Sequence, residues 1–230
     1  MTFTPTRTST PKKNSVGRPT GVRELSAQAT RDSILRAAIK IFAKHGFSGG
    51  SVEKISKAAK SYDRMIYYYF GNKQGLFVAV LEEIYRRFND AESGLDLDPE
   101  NPVESLAAVI RFALTYYEKH PEFISLLNSE NLHRGKHIGK SLRAREYSSP
   151  AIGTIDQLLR SGVSKGLFRT DVSARDLYLL IAAAGYFYQS NRFTLSAFLG
   201  EDLEAPAALA HWEAFVKDIV LRGISVSPTD

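Results

Sequence analysis

Apolar residues recur at helical spacing along most of the chain, and the alternation typical of a strand is hard to find anywhere. Between Ser26 and His45 one apolar stripe follows the i, i+1, i+4, i+7, i+8 pattern of a buried helix face. The residues of this stripe are Ile34, Leu35, Ala38, Ile41 and Phe42. Gly46 is expected to end the helix, because glycine accepts the left-handed conformation at low cost. The pattern as a whole predicts an all-α fold of about nine helices.

The stretch from Ser51 to Lys73 has the pattern of two short helices joined by a tight turn. Ser51 is a favourable N-cap for the first helix, and Ser61 is expected to cap the second. In the second helix the apolar side chains share one face, which leaves five other residues pointing outward. The outward residues are Asp63, Arg64, Met65, Tyr67 and Tyr68. Asn72 then caps a further helix, which carries Lys73 in its first turn and runs to about residue 91.

The rest of the chain has the pattern of a bundle of longer helices. A loop rich in Gly, Asp and Pro at 93–100 precedes further signals for helix starts, at Asn101-Pro102, His120-Pro121, Ser149-Pro150 and Ser173. The segment 177–188 is uncharged on every side and is therefore expected to be buried on every side. A broad apolar stripe returns in the last helix, at Trp212, Phe215, Val216, Ile219 and Val220.

Charge is distributed unevenly, which narrows the possible partners. Residues 1–80 hold 14 Lys and Arg against 4 Asp and Glu, and the remaining 150 hold 16 against 21, so the net charges are +10 and −5. The first third therefore suits a polyanion such as nucleic acid or, less favourably, an anionic membrane surface. Residues 1–22, rich in Thr, Ser and Pro, are expected to form a flexible basic arm that either contacts DNA or stays solvated.

Several classes of protein are excluded by the composition. The chain has no cysteine, which rules out disulfides and thiolate metal sites. No uncharged apolar run reaches the roughly 18–20 residues needed to cross a bilayer, and the N-terminus lacks the apolar core of a secretory signal. Neither a phosphate-binding glycine loop nor a hydrolase nucleophile elbow is present. We therefore expect a cytoplasmic protein that needs no cofactor, and the enzyme hypothesis is disfavoured.

A helix-turn-helix places its second helix in the major groove of DNA, where base edges present distinct hydrogen-bonding patterns. Arg64 is the first candidate for base reading because its guanidinium matches O6 and N7 of guanine; the alternative is a phosphate contact or solvation. Met65 and Tyr68 are candidates for contacts with thymine methyls or sugars. Asp63 either accepts from cytosine N4 or lies unused in the first turn. Ser51, at the positive end of its helix, suits a phosphate.

The segment from Arg31 to Leu81 resembles the DNA-binding domain of the TetR family of bacterial repressors. The matching residues are Ile34-Leu35, Ala37-Ala38, Ile41-Phe42, Gly46, Ser51, Ile55, Ile66-Tyr67, Tyr69-Phe70, Lys73 and Leu76. Two positions depart from the family pattern, with Lys60 where a glycine is usual in the turn and Tyr62 where a serine cap is usual. The resemblance implies that Tyr67 and Lys73 contact phosphates on the two rims of the groove.

The resemblance also implies an architecture for the rest of the chain. Residues 23–73 would form the DNA-binding domain and 74–230 an effector-binding and dimerisation domain, with the helix at 73–91 connecting them. Two copies would pair through the last two long helices, at Leu177, Ile181, Ala184, Tyr188, Trp212, Phe215 and Ile219. A small-molecule pocket would be lined by Tyr116, Tyr117, Asn131, His133, Tyr147, Tyr186, Phe187, Gln189 and Asn191. The function implied is a homodimeric repressor that a small-molecule effector releases from its double-stranded DNA operator.

Other interpretations of the same residues stay open. The aromatic side chains assigned to the pocket fit an ordinary core equally well. Glu130, His133 and His137 are spaced to put three metal ligands on one helix face, but Gly135 interrupts the helix, so a polar loop or pocket rim is favoured. The segment 177–188 fits the central core helix of a monomer as well as a dimer interface. The regulator could also be an activator, or be controlled by a protein partner without a small-molecule effector.

Overall fold

The computed structural model describes residues 20–147 and 149–226. Within these ranges the chain forms nine α-helices, and the only β-type contact there is an isolated bridge between Phe168 and Ser225. The helices are α1 (Thr20–Gly49), α2 (Val52–Ala58), α3 (Asp63–Phe70), α4 (Lys73–Ser93), α5 (Pro102–Lys119), α6 (Pro121–Leu132), α7 (Ser149–Ser164), α8 (Ala174–Leu199) and α9 (Pro206–Ile224). The predicted all-α fold is confirmed. In the described ranges no helix is both long and apolar enough to cross a membrane.

The first helix begins earlier than its apolar pattern indicated. α1 starts at Thr20 rather than Ser26, so residues 20–22 of the predicted arm are helical, and the rest of that arm lies outside the described residues. The predicted break at Gly46 is confirmed, because its φ of 65° interrupts the helical geometry. The residues of α1 that follow Gly46 therefore run in a different direction from the rest of the helix.

Local capping signals were correct where the side chain is free to bond to its own helix. Ser51 Oγ accepts from Lys54 N at 3.2 Å, and Asn72 Oδ1 accepts from Gly75 N at 2.8 Å. The two bonds satisfy amide groups that the first turns of α2 and α4 leave unpaired. Both caps fix the starts of α2 and α4 at the positions that the sequence predicted.

Two other predicted caps were wrong, each because a competing partner takes the side chain or the backbone. The side chain of Asn101 makes no cap and donates from Nδ2 to the carboxylate of Asp98 at 2.5 Å. α3 begins after Tyr62 rather than Ser61, because the backbone amide of Ser61 closes the preceding turn by donating to Ser56 O at 2.9 Å. Tyr62 has no side-chain oxygen in reach of the first turn, so α3 starts without a side-chain cap.

The hydrophobic core of the first four helices continues directly into the following ones. Ile34, Ile66 and Phe77 are fully buried at its centre. The same cluster includes side chains of α5 and α6, namely Tyr116, Tyr117, Phe123, Ile124 and Leu126. A second core joins α5, α7, α8 and α9, around Ile110, Ile155, Ile181 and Val216. No packing gap therefore separates 23–73 from 74–230, and α4 belongs to both parts.

Candidate nucleic-acid interface

The turn between α2 and α3 has the geometry that a glycine usually supplies, although the residue is a lysine. Lys60 has a φ of 51°, in the left-handed region. Lys60 N donates to Lys57 O at 3.2 Å, and Ser61 N to Ser56 O at 2.9 Å, which closes α2 with a Schellman-type bond. A side chain in this conformation costs roughly 1–2 kcal/mol. The left-handed conformation of Lys60 in this turn therefore lowers the stability of the fold.

The packing of α3 decides which of its residues reach solvent. Ile66 is fully buried, and Tyr69 packs against the same core. Tyr67 and Tyr68 are 53% and 77% exposed, as the helical pattern predicted. Met65 is half-buried against the core, so its predicted outward position is only partly correct. The exposed side of α3 is thus mainly aromatic and hydroxyl-bearing.

Asp63 is exposed but already has a partner within the protein. Its carboxylate accepts a hydrogen bond from the hydroxyl of Ser56, which is buried on α2. The bond joins the start of α3 to α2 and orients the two helices. Asp63 therefore has a structural role, which does not require the contact with cytosine that the sequence left open.

Arg64 extends from the first turn of α3 and is exposed to solvent. Its guanidinium carbon lies 5.2 Å from the centre of the Tyr62 ring, a cation–π arrangement that orients the side chain without using its N–H groups. No residue that the structure describes accepts a hydrogen bond from the fork, so its five donors are left for an external acceptor. This geometry is compatible with either a guanine edge or a phosphate.

Lys73, at the start of α4, is held against the end of α1. Its ammonium lies 4.7 Å from the centre of the Phe47 ring and donates to Ser48 O at 3.3 Å. Partial burial lowers the pKa of Lys73 below its ordinary value. The contact uses one of three N–H donors, so two are left for a phosphate.

Ser51, at the start of α2, is half-buried. Its hydroxyl oxygen accepts the cap bond from Lys54 N, so the hydroxyl proton is left to donate to a phosphate.

The requirement for glycine at position 75, in the first turn of α4, was not predicted from the sequence. A Cβ atom added to Gly75 would lie 2.1 Å from the carbonyl oxygen of Phe70, so only glycine lets α4 start this close to the end of α3. Glycine has a low helix propensity, so its presence in the first turn of a predicted helix is the sequence signal that could have revealed this requirement. Gly75 therefore positions Lys73 relative to α3.

The three residues spaced like metal ligands make hydrogen bonds within the protein. Glu130 is buried and accepts from His137 N at 2.7 Å and from Ile138 N at 2.9 Å, while its second oxygen lies 2.7 Å from His137 Nδ1. His133 Nδ1 lies 2.7 Å from Ser129 O. No group of three metal-ligating side chains occurs among the residues that the structure describes. The cluster is a buried structural pair next to the DNA-binding helices.

The nine residues predicted to line an effector pocket are not brought into one cavity. Tyr117 borders a small internal cavity, whereas Gln189 borders a separate groove beside α9 and Tyr147 a cleft beside α1. Phe187 and Asn131 are exposed to solvent. The others contact their neighbours: Tyr116 stacks on His120, His133 bonds Ser129 O, Tyr186 donates to Asn128, and Asn191 donates to Phe187 O. These residues do not share one of the described cavities, and their part in effector binding stays a prediction.

The residues predicted for dimerisation divide into two groups. Leu177, Ile181 and Tyr188 are buried within the protomer, which leaves them little surface for another copy, and their part in dimerisation stays a prediction. Ala184 and Trp212 are half-buried in the same core. An apolar surface remains on the opposite side of these two helices, which we call the α8–α9 face and define by Leu179, Leu180, Phe187, Phe215 and Ile219. These five side chains are between 48% and 57% exposed.

Two protein-family models match the two parts of the chain. Residues 34–80 match the family described as bacterial regulatory proteins, tetR family, and residues 102–220 match the tetracyclin repressor-like C-terminal domain. The HTH-type transcriptional repressor NicS of Pseudomonas putida is 50% identical over 207 residues, 90% of this chain and 98% of NicS. The HTH-type transcriptional repressor SCO4008 of Streptomyces coelicolor is 29% identical over 161 residues, 69% of this chain and 78% of SCO4008.

The fold has a counterpart among crystal structures. A TetR transcription regulator from Haloarcula marismortui superposes with a TM-score of 0.66 over 87% of this chain and all of its own, at 18% identity. At that identity the likeness concerns the fold alone. The two family matches and the identity with NicS extend it to the class of protein. The chain therefore belongs to the TetR family of bacterial transcriptional regulators, which are DNA-binding proteins and not enzymes.

Proposed function

We propose that the protein is a homodimeric repressor that binds operator DNA through two α2–α3 motifs and is released by a small-molecule effector. The observation that carries the proposal is the exposed face of α3, bordered by Lys73, in the strongly basic first third of a chain whose remaining 150 residues are net acidic. The relatives NicS and SCO4008 are named as repressors, which supports repression over activation.

In the proposed complex α3 lies in the major groove. Tyr67 and Lys73 contact phosphates on either side and set the register, while Arg64 reads a base edge and Tyr68 contacts a sugar or a thymine methyl. Ser51 at the start of α2 and the residual donors of Lys73 support the same docking geometry. This division assigns affinity to the phosphate contacts and sequence preference to Arg64.

Pairing of two copies through the α8–α9 face supplies the second motif. Leu180 and Phe187 on α8 and Phe215 and Ile219 on α9 present apolar surface that a monomer would leave in water. A self-complementary interface between two such helix pairs gives a two-fold axis. Half-sites about 34–36 Å apart, or a multiple of that spacing, then bring both α3 helices to one side of the duplex.

Release by an effector is supported by the continuity between the two parts of the chain. α4 carries Lys73 at one end and Phe88 in the bundle at the other. Phe47, which lies under Lys73, donates its backbone N–H to Ser129 Oγ of α6 at 3.2 Å and its ring lies 4.2 Å from the His137 ring. A ligand that shifts α4 or α6 would therefore move the phosphate-binding lysine.

The experiment is to select DNA from a random pool with the full chain and to measure binding to the selected duplex by fluorescence anisotropy at several salt concentrations. We expect a two-fold symmetric sequence, a stoichiometry of two chains per duplex and a steep loss of affinity with salt. Binding that ignores both salt and sequence would contradict the DNA-binding part. A dimer that no metabolite removes from DNA would contradict only the effector part.

A further inference from the structure

The connection between α6 and α7 contains a cluster of positive charge that the proposed DNA contacts do not use. Residues 131–145, which we call the basic segment, hold five Lys and Arg and no Asp or Glu. From residue 81 onward the chain has 16 Lys and Arg in all, against 21 Asp and Glu. Nearly a third of the positive charge of this acidic part therefore lies in the basic segment. The side chains of Arg134, Lys136, Lys140 and Arg143 are exposed.

Buried contacts at the centre of the basic segment fix its position. Glu130, on the last turn of α6, accepts hydrogen bonds from the backbone N–H groups of His137 at 2.7 Å and Ile138 at 2.9 Å. His137 is only 1% exposed, and its ring lies 4.2 Å from that of Phe47 and 5.0 Å from that of Phe77 between centroids. The basic segment is therefore attached to the core of the DNA-binding helices.

The outer side of the basic segment follows the first turns of α4. Lys140 Nζ donates to Gln74 Oε1 at 2.9 Å, and Ser141 Oγ donates to Glu82 Oε1 at 2.6 Å. Gln74 is the residue after Lys73, which we proposed to contact a phosphate at the rim of the groove. The Lys140 ammonium therefore lies next to the proposed docking surface. Its partner there is a neutral amide, which leaves its charge uncompensated and two of its N–H donors unused by that bond.

We propose that the basic segment is a second DNA-binding site, which contacts backbone phosphates next to those bound by Tyr67 and Lys73. This inference rests on the proposed function, since it extends the surface that docks on the operator. Double-stranded DNA carries one negative charge about every 1.7 Å along its axis, so cations beside the docked helix meet further phosphates. Lysine and arginine bind these phosphates without reading base edges. The basic segment therefore adds affinity and not sequence preference.

The position of the basic segment favours DNA over another polyanion. It begins where α6 ends and lies against α4, so it borders the same surface that carries Lys73. A duplex docked on α3 is the polyanion that this surface already binds in the proposed complex. Lys136 and Lys140 also project from the acidic part of the chain, where positive charge is otherwise sparse. The basic segment thus continues the basic surface of the first third beyond the α2–α3 motif.

The test removes two charges of the basic segment in the full chain and measures anisotropy with the selected duplex. A double variant, Lys136→Gln with Lys140→Gln, should bind about tenfold more weakly at roughly 0.1 M salt, with a salt slope smaller in magnitude by about two. The ratio of affinities for matched and mismatched duplexes should not change, because phosphate contacts carry no sequence information. Lys136→Arg with Lys140→Arg keeps both charges and should keep the affinity.

Arg160→Gln is the matched control, since Arg160 is an exposed cation on α7 that is paired with Asp156 and lies outside the basic segment. It lowers the net charge in the same way and should leave both the affinity and the salt slope unchanged. The substituted side chains are all exposed, so each variant should keep the Tm of the unchanged protein.

Ethylation of single phosphates distinguishes direct contacts from a general loss of positive charge. Phosphates at which ethylation weakens binding of the unchanged protein should include some that the double variant no longer requires and that Lys73→Ala still requires. Unchanged affinity and salt slope in the double variant, or the same pattern of sensitive phosphates, would overturn this proposal and leave docking through α3 standing. Failure of the unchanged chain to bind any selected duplex would contradict the proposed function, and this proposal with it.

Discussion

The ammonium of Lys73 lies 4.7 Å from the centre of the Phe47 ring, and on the same ring His137 makes a contact of 4.2 Å between centroids. Phe47 thus lies between Lys73 and the buried Glu130–His137 pair. Because aromatic and cation–π contacts depend on close approach, a shift of the His137 segment changes the support of Lys73. This relationship connects the bundle to the DNA-binding surface at the level of single side chains.

Removing the phosphate contacts should weaken DNA binding without changing sequence preference. Tyr67→Phe and Lys73→Ala are each expected to lower affinity for the selected duplex by about 5- to 10-fold, and Lys73→Ala should reduce the magnitude of the salt slope by about one. The measurement is anisotropy with matched and mismatched duplexes over a range of salt. Unchanged affinity in both variants would contradict the docking geometry.

Arg64→Ala should have the opposite signature. If the guanidinium reads a guanine edge, its removal relaxes preference at one base pair in each half-site by about 1–3 kcal/mol. Binding to a panel of single-base variants of the duplex measures this directly. Arg36→Ala is the control, because Arg36 is an exposed arginine on α1 outside the motif. A uniform loss of affinity across the panel would instead identify Arg64 as a phosphate contact.

A substitution in the turn between α2 and α3 should increase the stability of the protein. Lys60→Gly relieves the left-handed strain at φ 51° and is expected to raise the free energy of unfolding by about 1 kcal/mol. Chemical denaturation measures the change. Lys57→Gly, inside α2, should lower stability by about 1 kcal/mol. A loss of stability in Lys60→Gly would show that the lysine side chain contributes contacts that outweigh the strain.

Charge placed on the α8–α9 face should separate the two copies. Phe215→Glu and Ile219→Glu are expected to convert the species at twice the chain mass of 25.6 kDa to a monomer, because two buried acids would face each other across the two-fold axis. Light scattering after size exclusion gives the mass. Leu132→Glu, at an 84% exposed leucine on α6, should leave the mass unchanged. A dimer that survives both face variants would place the interface elsewhere.

Stability should fall with rising pH across the range in which Glu92 titrates. Its native pKa of about 7 exceeds the ordinary value of 4.5, so between these values the native state holds a proton that the unfolded chain has lost. Glu92→Gln should therefore gain roughly 1–2 kcal/mol relative to the unchanged protein on going from pH 5 to pH 8. Urea denaturation at both values tests this, and Asp90→Asn should show no such gain.

The groups around Glu92 do not titrate in the same window. Tyr85 on α4, Tyr117 on α5 and Tyr178 on α8 are buried tyrosines in this part of the bundle, and burial raises the pKa of each, that of Tyr85 to about 12. The phenols therefore stay neutral throughout. A pH dependence that persisted in Glu92→Gln would have to come from a group outside this part of the bundle.

Much of the DNA-binding part could be predicted from sequence because its signals are local. The caps at Ser51 and Asn72, the break at Gly46 and the apolar stripe of α1 depend on backbone geometry within a few residues. The outward side of α3 follows from the same helical periodicity. A pattern of one apolar face leaves only one way to orient a helix against a core.

Where the helical pattern has no polar side, only the tertiary structure decided which residues face the core. An apolar segment such as 177–188 has no polar side to orient it, so contacts with α5 and α9 determine that Ile181 faces inward and Phe187 outward. The burial of Glu92 and the close approach that requires glycine at Gly75 depend on residues of neighbouring helices. The sequence by itself determined the family, most of the helices and the exposed side of α3. Only packing between distant segments decided which carboxylates are buried and which apolar side chains of α8 and α9 stay exposed, because burial depends on the neighbours that the fold supplies.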